Sequence, residues 1–253
     1  MKDFTFTAYK RYLDAIKSAY TNILRFDEFL ALKSLPESFL VIRHDVDRRP
    51  YKALSMARLE NEMGVKTSYY FRAKSNTFKK DIIEDISSLG HEIGYHYESL
   101  SDTNGDMDSA VIDFEKNLNR FRKIVPIRTI SMHGRPFKPY DNRDMWRGPQ
   151  RSILLNKLEI MGEVYLDIDY TDIAYINDTG RNWTSSSSNK RDKVISAVRC
   201  DVNNGEELHD HFKTKYFPKV VFQVHPERWS ESIPEHYYLQ FKDVLINILK
   251  LFL

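Results

Sequence analysis

The stretch Phe39-Leu40-Val41-Ile42-Arg43-His44-Asp45-Val46-Asp47 decides how this chain is read. Four apolar residues stand in a row, without the alternation of a half-exposed strand. That is the pattern of a strand buried on both faces, as in a parallel sheet. The run then delivers two carboxylates. Side chains two apart on a strand share a face, so Asp45 and Asp47 point together and His44 points away. Neighbouring carboxylates repel unless a cation lies between them or one holds a proton. In α/β folds, sites form at the C-terminal ends of strands. The plainer alternative is a solvated loop whose acids pair with Arg48 and Arg49.

Outward from this stretch the chain alternates. Residues 8–33 read as a helix, with Tyr9, Tyr12, Leu13, Ile16 and Tyr20 at helical spacing and Pro36 as the breaker. Further helices are expected over 50–63, 77–89, 107–123, 150–161, 205–216 and 235–252. Strands are expected over 67–71, 127–132, 164–168 and 220–224. Residues 193–198 fit either element, and the Ser run at 184–190 reads as a surface loop. Alternation of this kind implies βα units around a parallel sheet or barrel. No repeat or linker interrupts it, so residues 1–253 are expected to form one domain.

Composition narrows the function classes. Lys and Arg number 38 against 36 Asp and Glu, a net charge of +2 with no basic stripe, so nucleic acid is not an expected partner. The one cysteine, Cys200, excludes an internal disulfide and fits a reducing compartment. No apolar run is long enough for a membrane span. Met1-Lys2-Asp3-Phe4-Thr5 lacks the pattern of a secretion signal, so a cytoplasmic location is expected. The sequence carries no signal for oligomeric state.

Chemistry-bearing residues recur where elements end. Gly90-His91-Glu92-Ile93-Gly94-Tyr95-His96 follows a helix and reads as a turn, with Gly94 allowing a tight bend before His96. His91 and His96, five apart, do not suit one ion together. His96 is the candidate ligand, and His91 reads as a packed, hydrogen-bonded histidine. His133-Gly134-Arg135-Pro136 closes another strand, and Arg135 suits bidentate pairing to a carboxylate. Asp167 and Asp169 repeat the two-acid spacing, and His225-Pro226 follows the last strand. Carboxylates and imidazoles gathered at strand ends are what a divalent-metal hydrolase requires.

Together these segments resemble the polysaccharide deacetylase family, carbohydrate esterase family four. The likeness runs from about residue 39 to 229, and GHEIGYH at 90–96 is its most specific string. The resemblance implies a distorted (β/α) barrel of about seven parallel strands. It implies a divalent ion, expected to be zinc, and an N-acetylated sugar or glycan precursor as substrate. By the resemblance, Asp45 is the base and Asp47 a metal ligand, although Val46 separates them. His96 is the first imidazole ligand and His225 the general acid. Asp167 or Asp169 orients His225, and Arg135 braces the base. Where the family usually has a second His, four residues after the first, this chain has Leu100. His133 or Glu98 is the candidate for the third ligand, with His133 preferred.

Lack of an export pattern suggests a cytosolic, nucleotide- or lipid-linked precursor of surface polysaccharide. Two other readings compete. Asp45-Val46-Asp47 also resembles the Asp-x-Asp signature of metal-dependent glycosyltransferases. Leu100 fits a deacetylase scaffold that binds carbohydrate without cutting it.

Overall fold

A computed structural model describes residues 2–135, 137–183 and 194–250, with side chains as far as Phe241. In chain order the elements are α1 (Phe6–Ala19), β1 (Ile23–Leu24), α2 (Phe26–Ala31), β2 (Phe39–Val46), α3 (Pro50–Glu62), β3 (Ser68–Phe71) and α4 (Lys80–Ser88). They continue as β4 (Glu92–Tyr97), α5 (Ser99–Asp102), α6 (Met107–Arg122), β5 (Thr129–Met132), α7 (Arg151–Lys157), β6 (Gly162–Glu163), β7 (Ala174–Asn177), α8 (Gly205–Thr214), β8 (Lys219–Val224) and α9 (Ile233–Lys250).

Every strand pairing is parallel. Seven strands run in the order β6-β5-β4-β3-β2-β8-β7, and β1 pairs with the start of β2. The sheet curls into a distorted, incomplete barrel, with β6 and β7 as its edges. As the apolar run requires, all eight residues of β2 are buried. Leu40 and Ile42 pack with Tyr12, Leu13 and Ile16 of α1 and with Leu208 and Phe212 of α8. Ile93, Tyr95 and Tyr97 of β4 pack with Phe114, Leu118 and Phe121 of α6. Each such side chain removed from water contributes roughly 1.5–3 kcal/mol.

The inner face of the barrel is polar, and its residues recur at period two. Arg43 and Asp45 of β2 meet Ser131 of β5 and Gln223 of β8 across the lumen. Tyr70 of β3 meets Thr129 of β5 at 3.0 Å.

Several elements differ from the sequence expectation. The helix expected over 8–33 ends at Ala19, because Thr21-Asn22 leads into a strand whose Ile23 and Leu24 pair with Leu40 and Val41. GHEIGYH is not a turn. Its last six residues, with Tyr97 after them, include strand β4, alternating Glu92, Gly94 and His96 inward with Ile93, Tyr95 and Tyr97 outward. Gly94 is required for space, not for bending, since a Cβ there would collide with the Tyr70 ring. The strand expected over 164–168 is only Gly162–Glu163. Leu166 N–H and Asp167 N–H turn back onto the Glu163 carbonyl, at 3.0 and 2.9 Å. β7 was not expected. Residues 194–198 form neither helix nor strand, whereas 184–190 and Lys193 lie outside the described residues.

Candidate metal centre

Three side chains from three strands, β2, β4 and β5, converge at the open end of the barrel. Asp47 follows β2, His96 lies in β4 and His133 follows β5. The Asp47 Oδ1 atom stands 3.3 Å from His96 Nε2 and 3.4 Å from His133 Nε2. Their ligand atoms all lie within 4.8 Å of one another, a spacing that suits one metal ion. Asp47 Oδ1 is buried yet has no hydrogen-bond partner. An unmet buried carboxylate oxygen is costly, and a cation relieves it.

Hydrogen bonds behind the imidazoles fix which nitrogen faces inward. His96 Nδ1–H donates to the Ser131 carbonyl at 2.9 Å, and His133 Nδ1–H donates to Glu98 Oε2 at 2.8 Å. Each Nε2 is thereby left toward Asp47. Metal-binding histidines are oriented in this way, by a carbonyl or a carboxylate on the far nitrogen. Glu98 is held in turn by Arg72, whose guanidinium reaches it at 2.8 and 3.0 Å and also donates to the Asp47 carbonyl at 3.2 Å. One oxygen and two nitrogens are a donor set suited to a divalent transition-metal ion.

Without a cation, the same groups act on one another's charge. Burial alone would raise the Asp47 carboxyl, but His133 and His96 hold it well below the usual carboxylate range. Burial pulls His133 down, yet Asp47 and Glu98 push it up to about 9. Glu98 is held low against its own burial by His133 and Arg72.

Beside this cluster lies Asp45, whose Oδ2 is 3.8 Å from His96 Nε2. Arg43 donates to its Oδ1 at 2.7 Å and Gln223 to its Oδ2 at 2.6 Å. Arg43 also donates to Ser131 at 2.9 Å and to the Tyr165 hydroxyl at 2.6 Å. Asp45 is not one of the three groups gathered for an ion.

His225 follows β8, with its Nδ1–H donating to Asp178 Oδ1 at 2.6 Å. The other Asp178 oxygen accepts from the His225 backbone N–H at 2.9 Å and from Trp229 Nε1 at 2.8 Å. Burial and Arg228 lower the His225 pKa, but Asp178 and Asp47 outweigh them and raise it. The pair results from register. β7 lies beside β8 with Asn177 opposite Gln223, so the next residue, Asp178, reaches the end of β8.

The structure thus brings together Asp45, Asp47, His96, His133 and His225. It does not bring three other expected residues to the roles given them. Arg135 donates to Glu98 at 3.2 Å and does not reach Asp45, because Arg43 already fills that place from two residues upstream. Asp167 pairs with Arg151 and accepts the Glu163 N–H. Asp169 is exposed and accepts from the Thr171 N–H and hydroxyl at 3.0 and 2.6 Å. Neither orients His225. Leu100 is buried in the apolar core, and Glu98 stands behind His133 as its partner. Of the other histidines, His91 bonds the Ala57 carbonyl at 3.0 Å and His44 bonds Glu60 at 2.8 Å, both away from the centre. Arg43, Gln223 and Asp178 had not been singled out. Asp178 alone had a sequence signal, the apolar run Ile173-Ala174-Tyr175-Ile176 just before it.

No protein-family model matches the chain, and no curated protein does. Solved structures similar to it include polysaccharide deacetylases and proteins of carbohydrate esterase family 4. The polysaccharide deacetylase Bc1974 from Bacillus cereus has 11% identity and a TM-score of 0.42, over 75% of this chain and 79% of that one. The peptidoglycan deacetylase PdaC from Bacillus subtilis has 8% identity and a TM-score of 0.40, over 85% of this chain and 98% of that one. BA3943 from Bacillus anthracis, a pseudoenzyme of that family, has 11% identity and a TM-score of 0.40. The match covers 83% of this chain but spans only 60% of BA3943.

Proposed function

We propose that the protein is a metal-dependent hydrolase that removes the acetyl group from an N-acetylated sugar or glycan precursor. The observation that carries this reading is Asp47 Oδ1, a buried oxygen without a hydrogen bond, flanked by two imidazoles whose far nitrogens are already committed.

Asp47, His96 and His133 would hold the ion, for which the donor set favours zinc. When bound, such a cation polarises a carbonyl and lowers the pKa of water toward 7. The remaining work falls to the protein. Asp45 is a carboxylate pinned by Arg43 and Gln223, placed to take a proton from an attacking water. His225 keeps its Nδ1 proton on Asp178, and its raised pKa favours a second proton on Nε2. That proton goes to the leaving nitrogen, without which an amide anion would be expelled. Acetate and an amino sugar result.

Acetate release from N-acetylglucosamine and its nucleotide-linked form tests the reading. Protein stripped by chelator should be inactive and regain activity with zinc, cobalt or nickel. Stoichiometric zinc at the site without acetate release from any N-acetyl sugar would favour a carbohydrate-binding role instead.

A further inference from the structure

Among the described residues near the metal centre, one carboxylate has no role so far. Glu227 lies in the 3-10 turn Pro226–Arg228, two residues after His225. Its side chain is 4% exposed, and neither oxygen has a hydrogen-bond partner. Its nearest cation, Arg48, stands 3.9 Å away and is itself 56% exposed. Two residues from His225 and beside Arg48, the residue that follows Asp47, Glu227 lies close to both the metal ligand and the proton donor. The leaving nitrogen must come to the same part of the barrel mouth.

A buried carboxylate without donors is held against a cost of a few kcal/mol, unless something outside the chain supplies the donor. The metal cluster does not include Glu227. An acetamide brings the missing group. Its nitrogen carries one N–H, and burying that N–H unpaired would itself be penalised. The other acidic oxygens nearby are committed. Asp45 is bonded through both oxygens, Asp178 through both, and Glu98 to Arg72 and His133. Asp47 Oδ1 faces the two imidazoles.

We infer that Glu227 accepts the N–H of the scissile acetamide and then holds the ammonium of the released amino sugar. The inference rests on the deacetylase reading and deepens it. It makes Glu227 a specificity-determining residue that selects N-acetyl over O-acetyl groups, because an ester oxygen has no hydrogen to offer. Sites built to pair a substrate N–H discriminate strongly against analogues that lack it.

The test compares zinc-loaded wild-type protein with Glu227→Ala and Glu227→Gln. N-acetylglucosamine and a glucose O-acetyl ester are the substrates. The ratio of kcat/KM for amide over ester should fall at least ten-fold in Glu227→Ala. Glu227→Gln, which keeps a neutral acceptor, should fall between. Equal losses on both substrates, or an unchanged ratio, would overturn the assignment. Binding of free glucosamine, followed by NMR titration at equal zinc content, is the second measurement. Glu227→Ala should weaken it at least ten-fold, and unchanged binding would overturn the assignment. Should wild-type protein cleave neither substrate, the deacetylase reading falls on its own, and the glucosamine titration still decides what Glu227 binds.

Discussion

Glu60 and Glu227 are the same residue type, both buried, and they stand in opposite states. Glu60 of α3 faces the outer side of β2. Its Oε1 accepts from His44 at 2.8 Å and from Tyr9, and its Oε2 accepts from Tyr69 at 2.7 Å and Thr67 at 2.8 Å. Glu227, at the barrel mouth, accepts from nothing in the chain. Burial raises both, but His44 and His91 draw Glu60 down to about 2, while Asp47 adds to burial and takes Glu227 up to about 7. The contrast separates a polar group that builds the fold from one left open to a ligand. Arg43, His44 and Asp45 show the same division within one strand. The outward His44 is spent on structure, and the inward pair serves the site.

The largest effect that sharpens this contrast is expected at the His225 end. Asp178→Asn removes the acceptor that fixes the His225 tautomer, and should lower kcat by about 10²–10⁴-fold. Folding should persist, and the basic limb of the pH–rate profile should move to lower pH as His225 loses its carboxylate partner. A near-normal kcat with an unmoved profile would break the assignment of roles.

Glu60→Ala probes the satisfied side. It strands His44, Tyr9, Tyr69 and Thr67, and should cost about 3–5 kcal/mol in urea unfolding. Because the folded-state pKa of Glu60 lies below its ordinary 4.5, its contribution is complete above about pH 4.5 and is lost as pH falls toward 2. Glu60→Gln should accordingly flatten the acid limb of stability. Glu98→Gln comes next. It weakens the support behind His133, and should lower zinc affinity by about 10–100-fold in competition with a chromogenic chelator. The smallest effect has the opposite sign. Glu227→Gln should stabilise the ligand-free protein by about 1–3 kcal/mol at pH 8, where the native carboxylate is charged and unpaired. The gain should vanish near pH 4, where Glu227 is protonated in either state.

Much of this architecture was legible in the sequence. Phe39–Ile42 is apolar without interruption and Val220–Val224 is apolar save for Gln223, and both lie inside the sheet. Asp47, His96, His133 and His225 were visible as polar residues at element ends. What failed has a common physical origin. GHEIGYH carries two glycines and reads locally as a bend, yet its alternation of Glu92, Gly94 and His96 against Ile93 and Tyr95 is that of a strand with one polar and one apolar face. β6, at two residues, is too short for periodicity to show, whereas β7 does carry an apolar run, Ile173–Ile176, that belongs to a strand. The partners of Asp45 and His225 depend on which strands lie side by side. Strand order, which places β8 between β2 and β7, is a tertiary fact that a linear pattern does not carry. Arg135 was favoured because it follows a strand, but Arg43 reaches Asp45 first from the same strand.

Among the described residues β6 and β7 do not pair, and this bears on the candidate site. Arg43 donates to Tyr165, just past β6, and to Tyr175 in β7 at 3.2 Å, while another of its N–H groups grips Asp45. One guanidinium thus acts as the clasp over an open seam and as the anchor of Asp45, the proposed proton acceptor. Any widening of that seam would be felt at Asp45, so the steadiness of the proposed base is borrowed from how firmly two tyrosines hold the edges together.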